Sequence, residues 1–176
     1  MSLRLPVRAG ALLLLSLVSM AWTQARREPL TETEIGELRD AAQDPDIRLN
    51  LFVKFARTRL SALEQLNSDP KAADRAQKIR DNLQDFVDIY DELNDNIDTF
   101  LDRKSDLRKP LKVVIEGDNE FQAKLRALKS SGESRPSEAA TYEFLLSTAL
   151  DSVDTSVTEH RQLLTEQEEA AKHKKK

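Results

Sequence analysis

Cysteine is absent from this chain of 176 residues. Disulfides, thiol nucleophiles, cysteine-rich metal sites and lipid attachment at a signal-peptide cysteine are excluded with it. Histidine is nearly absent too, with only His160 and His173. That is too few for a histidine-built zinc or haem site, and no Glu-x-x-His pair of the di-iron bundle type occurs. With 4 glycines there is no Gly-rich phosphate loop. Ser147, Ser152 and Ser156 have no recognisable base and orienting acid beside them in sequence. His160 falls near an apolar stripe and reads as a helix-boundary residue. The expectation is a chain with no catalytic residue, no cofactor and no metal.

Long apolar runs are also lacking, except at the start. Arg4 and Arg8 precede the uncharged run "AGALLLLSLVSMA" at residues 9–21, which has the layout of an export signal. The run falls short of the roughly 20 apolar residues that a spanning helix needs. Small residues allow cleavage after Ala21 or after Ala25; the second is favoured, giving a signal peptide over residues 1–25. The pair Arg26 and Arg27 follows the run, the wrong side for a twin-arginine signal. Removing residues 1–25 takes two arginines and no acid. Lys+Arg then falls from 27 to 25 against 31 Asp+Glu, and the net charge goes from -4 to -6. No Asn-x-Ser/Thr acceptor occurs, which favours a bacterial route to the periplasm or the outside. An acidic mature chain has the wrong sign for nucleic acid.

What is abundant is helix-forming material. A third of the residues are charged, the helix formers Leu, Ala, Glu and Arg are among the commonest, and no stretch alternates long enough to compete as a strand. "TETE" from residue 31 is a capping-box pattern. Asp44 with Pro45, and Asp69 with Pro70, read as N-cap and first position of further segments, and Gly132 with Pro136 as stop and start.

The strongest pattern lies between residues 71 and 128. Counted in sevens, one seam holds Ala76, Leu83, Tyr90, Ile97, Lys104, Leu111, Asp118 and Leu125. Its partner holds Ile79, Phe86, Leu93, Phe100, Leu107, Val114, Phe121 and Leu128. Because the register survives Pro110, the expected fold is all-α: an elongated antiparallel bundle of three helices, about 31–67, 70–130 and 136–170, whose long coiled-coil-like central helix is kinked at Pro110. The alternative is a four-helix bundle with a turn at Gly117 and Asp118. Residues 26–171 then form one domain. On this reading Lys104 snorkels from the seam and Asp118 weakens it locally.

Asp74, Asp81, Asp88, Asp95 and Asp102 repeat at seven-residue intervals opposite the seam, flanked by Asp85, Asp91, Glu92 and Asp98. Successive members lie about 10 Å apart along a helix, too far to share one cation. The row reads as a solvated face whose negative charge could attract a basic partner. "KHKKK" at residues 172–176 is a basic, disordered tail able to make weak contact with an anionic surface.

"DPDIRLNLFVKFARTRLSALEQL", "LQDFVDIYDELNDNIDTF" and "YEFLLSTALDSVDTSVTEHRQLLTEQEE" together resemble a group of uncharacterised secreted all-helical proteins of acidobacteria. The resemblance implies a secreted helical fold and carries no activity or functional residue. The functional expectation is a non-enzymatic exported protein acting by protein-protein contact, as scaffold, adaptor or chaperone-like factor, or by self-association. It rests on a long seam that two shorter helices do not fully cover. The alternative is a bundle that binds a lipid or other apolar ligand.

Overall fold

The computed structural model describes residues 27–69 and 71–173, and every regular element among them is helical: α1 (Glu32–Asp40), α2 (Pro45–Ser68), α3 (Arg75–Asp102), α4 (Arg108–Glu133), the single turn α5 (Pro136–Ala139) and α6 (Glu143–His173). Residues 1–26, where an export signal is expected, Pro70 and the last three lysines lie outside the described residues. No described helix is long and apolar enough to cross a membrane. Lys172 and His173, expected in a disordered tail, continue α6 instead.

Two starts follow the expected chemistry. The Thr31 hydroxyl accepts from the Glu34 amide at 3.2 Å while the Glu34 carboxylate accepts from the Thr31 amide at 2.8 Å, closing a capping box on α1. Asp44 caps α2 through the Ile47 amide at 3.0 Å, with Pro45 in the first position. Residues 41–44 separate α1 from α2, so the single first helix expected over 31–67 is two. Asp69 ends α2 and does not open the next helix; α3 starts after Asp74, which holds a left-handed φ of 52°.

The long central helix is not continuous, and its break is neither a kink at Pro110 nor a turn at Gly117. Residues 103–107 reverse the chain. Ser105 N donates to Phe100 O at 3.0 Å and Lys104 N to Leu101 O at 2.8 Å, the paired bonds of a Schellman ending. Lys104 takes its left-handed position at φ 59°, a place usually filled by glycine, so no glycine marked the stop. Pro110 sits in the first turn of α4, where its missing N–H has no helical acceptor to lose. The apolar count ran on undisturbed because both helices turn the same kind of face to one core.

Four long helices therefore form the bundle, in place of the expected three. Helix α2 runs antiparallel to α3, with Arg48 Nε donating to Asn96 Oδ1 at 2.5 Å. It runs parallel to α4, joined by Asp46–Lys109 at 2.6 Å, Arg57–Glu120 at 2.7 Å and Glu64–Lys124 at 2.5 Å. Helix α6 returns antiparallel to α4, with Lys112–Glu168 at 3.3 Å and Arg126–Asp154 at 3.3 Å, and packs beside α3. Helices α3 and α4, consecutive in sequence, thus stand diagonally across the core, where Phe121 meets Phe86 and Tyr90 edge-on at 5.5 and 6.1 Å.

The seams fill the space between. Leu83, Phe86, Tyr90, Leu93, Leu107, Leu111, Val114, Phe121 and Leu125 are fully buried. Gly117, also buried, lies where α4 presses on α2: a Cβ there would stand 2.9 Å from Val53 Cγ1. It is a point of close helix approach and not a stop signal.

Candidate functional site

Two places in this bundle gather polar side chains. The first is inside it. Asp118, expected to loosen the seam, is fully buried in mid-α4. Its Oδ1 accepts from the Tyr90 hydroxyl at 2.7 Å, and its Oδ2 stands 2.8 Å from His160 Nδ1. His160 is correspondingly a buried residue of mid-α6 and not a helix-boundary one. One turn before it, buried Ser156 accepts from Asn94 Nδ2 at 3.2 Å. Burial foremost, then the neighbouring Asp118 carboxyl, pushes the Tyr90 phenol far above its ordinary value, so its proton stays on to donate. Asn94 Oδ1 is buried without a partner among the described residues.

Geometrically this cluster ties α3, α4 and α6 together at one level. A carboxyl between a tyrosine and a histidine resembles a catalytic relay only in its parts. A relay needs a nucleophile bonded to the far ring nitrogen, and His160 Nε2 makes no hydrogen bond among the described residues. What the arrangement does chemically is give the Tyr90 hydroxyl, the Asp118 carboxyl and His160 Nδ1 partners on other helices, so that one register satisfies them. The sequence signal for it was Asp118 interrupting an apolar seam; the two residues that answer it were 28 and 42 positions away.

The second place is outside. Segment 27–31 and α1 stand off from α2 and α3 and leave a cleft of about 690 Å³. Its lining includes Asp88, Asp91, Glu92 and Asp95 of α3, the arginines Arg27, Arg39 and Arg48, and the apolar Leu38 and Phe52. This is the middle of the acidic row. The rest of that row lies outside the cleft, with Asp74, Asp98 and Asp102 exposed to solvent as expected. Asp85 departs from the expectation. It is buried beneath Arg27, whose guanidinium reaches it at 2.9 Å. Burial raises its carboxyl above the usual range, against the pull of Arg27 and Arg59.

Two arginines position this lining. Arg59 of α2 grips both oxygens of Glu34 at 2.9 and 2.5 Å and the Pro29 carbonyl at 2.7 Å, holding α1 and its leading segment in place. Burial pushes the Glu34 carboxyl up, but hydrogen bonds from Arg59 and the Thr31 amide outweigh it and hold the group below its usual range. Arg48 donates to the Leu38 carbonyl and to Asn96 and lies over the Phe52 ring at 5.5 Å. Among the described residues no group of His, Asp and Glu converges to hold a metal ion.

No family model matches this chain, and neither a curated protein nor a solved structure matches it.

Proposed function

We propose that this is an exported, non-enzymatic helical protein that works by protein-protein contact, and that it receives its partner in the cleft beside α1. The observation that carries the reading is the cleft's make-up: Glu92 and Asp95 of α3, Arg39 and Arg48, and the apolar Leu38 and Phe52 line one space. Its volume lies within the ordinary range of binding sites, about 300–1,000 Å³. The occupant this chemistry selects is a short amphipathic segment that brings basic side chains to α3 and apolar ones to Leu38 and Phe52. The long seam, the original ground for a contact function, offers no such surface, since four helices cover it.

The test is fluorescence anisotropy with a labelled Lys/Leu amphipathic peptide. Affinity is expected to fall as salt shortens the Debye length from about 10 Å toward 3 Å. Reversing Glu92 and Asp95 to Lys is expected to weaken binding roughly tenfold or more, since charges lining a site act on encounter and register. Undiminished binding by the reversed protein would sink the reading.

A further inference from the structure

Arg27 sits on α3 in the way a bound ligand would. One nitrogen of its guanidinium stands 2.9 Å from Asp85 Oδ2 and another 3.8 Å from Asp81 Oδ2, one turn earlier on the same helix. The Asp85 side chain is only 6% exposed, whereas that of Arg27, lying over it, is 62% exposed. Arg27 also lines the cleft beside α1. The group that covers Asp85 is therefore one that an occupant of the cleft meets.

A buried carboxylate needs a cation. Burial foremost disfavours the charged form of Asp85, and the neighbouring Asp81 and Asp88 add to that, while Arg27 and Arg59 oppose it. Arg59 bonds Glu34 and the Pro29 carbonyl, and Arg27 makes the direct contact with Asp85. The seat's shape selects a guanidinium, since one planar group turns separate nitrogens toward carboxylates on successive turns, whereas an ammonium is a single point of charge. Arg27 itself lies in irregular, exposed backbone ahead of Pro29, where Arg59 takes hold of the segment. Exchanging its guanidinium for another leaves α1 clamped.

We propose that Arg27 is a built-in competitor: in the free protein it occupies the seat on Asp85 and Asp81 that an arginine of the partner takes on binding. This rests on the cleft reading above and narrows it. The partner's basic residues include an arginine, set about 10 Å from the residue that meets Glu92, because Asp85 and Glu92 are seven residues apart on α3. A competitor in the same chain lowers the apparent affinity by the fraction of molecules in which the seat is vacant. Removing it should tighten binding, the opposite of what losing a simple clamp would do.

Two titrations of the full chain test this. In the first, ethylguanidinium, the arginine head group alone, is added at fixed ionic strength and followed by nuclear magnetic resonance at the Asp81 and Asp85 amides. Arg27→Ala is expected to bind it about tenfold more tightly than wild type, to respond less to ethylammonium, and to lose the response when Asp85→Asn is added. Equal responses of wild type and Arg27→Ala, or equal responses to the two cations, overturn the proposal. No peptide enters this arm, so its failure is distinct from a failure of the cleft reading. In the second, the labelled Lys/Leu peptide carries one arginine, and Arg27→Ala is expected to bind it roughly three- to tenfold more tightly than wild type. Binding that Arg27→Ala weakens or leaves unchanged makes Arg27 a clamp and overturns the competitor. Peptide binding to neither protein defeats the cleft reading and the arginine partner with it, even where ethylguanidinium finds its seat.

Discussion

The Tyr90 hydroxyl and the Asp118 carboxyl meet at 2.7 Å in the middle of the core, on two helices that are consecutive in sequence and diagonal in space. A diagonal pair has little backbone contact to define its register. This hydrogen bond supplies it, while His160 of α6 stands on the far side of the same carboxyl at 2.8 Å: sliding α3 against α4 by one turn strands the Tyr90 hydroxyl and one Asp118 oxygen, each at a cost of about 1–3 kcal/mol.

Tyr90→Phe is expected to lower stability by about 1–3 kcal/mol at neutral pH, because it removes the donor and keeps the ring. The pH dependence follows from the raised phenol. A group whose folded pKa lies above its unfolded value contributes stability that is whole below the unfolded pKa, about 10 for tyrosine, and is lost as pH rises beyond it. The gap between wild type and Tyr90→Phe should therefore shrink above about pH 10, by up to roughly 1.4 kcal/mol per pH unit. Urea unfolding followed by circular dichroism at neutral and alkaline pH measures it; an unchanged gap would contradict the assignment.

Gly117→Ala tests the helix crossing. Alanine improves an isolated helix by about 1 kcal/mol, yet its Cβ would stand 2.9 Å from the branched, buried Val53. Overpacking of this kind costs about 1–3 kcal/mol, so the net change is expected to be destabilising. Combining it with Val53→Ala should give less than the sum of the two losses. Additive losses in that cycle would mean α2 and α4 do not touch there.

Lys104→Gly is expected to stabilise the protein by roughly 1 kcal/mol. The left-handed φ of 59° at this exposed position strains any side-chain-bearing residue by about that amount, and glycine relieves it. Thermal unfolding of the two proteins compares them directly. A lower melting point for the glycine form would show that residues 103–107 are not the reversal.

Acid should loosen α1 before the bundle. The Glu34 carboxyl is held below its usual range, so its contribution is present above the ordinary glutamate pKa, about 4.3, and is lost as pH falls through the lowered value. Hydrogen exchange at residues 32–40 is expected to rise in that interval while the amides of α3 stay protected. Glu34→Gln should show the faster exchange already at neutral pH. Equal protection of α1 in both proteins at both pH values would remove Arg59 and Glu34 as its clamp.

Much of this was legible in the residues. The capping box at Thr31, the Asp44–Pro45 start and the two apolar rows that become α3 and α4 all depend on neighbours within a turn or two, where sequence spacing is spatial spacing. The reversal at residues 103–107 was not legible. Its left-handed residue is a lysine, and the seven-residue count is blind to direction when both helices face one core. Pro110, taken as a kink within one helix, instead stands in the first turn of α4, as Pro45 does in α2.

The candidate site divides in the same way. Sequence placed the acidic row on one face of a helix, because period alone does that. That Asp88 to Asp95 line a cleft while Asp85 is buried beneath Arg27 depends on where residues 27–40 come to rest, a matter of contacts some 50 positions apart. By itself, then, the sequence determined an all-helical chain with two long apolar rows and several of its caps, since these follow from local backbone chemistry and periodicity. Only the tertiary structure decided how many long helices there are, which stand side by side and which diagonally, and that Asp118 and His160 share a hydrogen bond, because those outcomes are settled by packing and by the pairing of buried polar groups between distant segments.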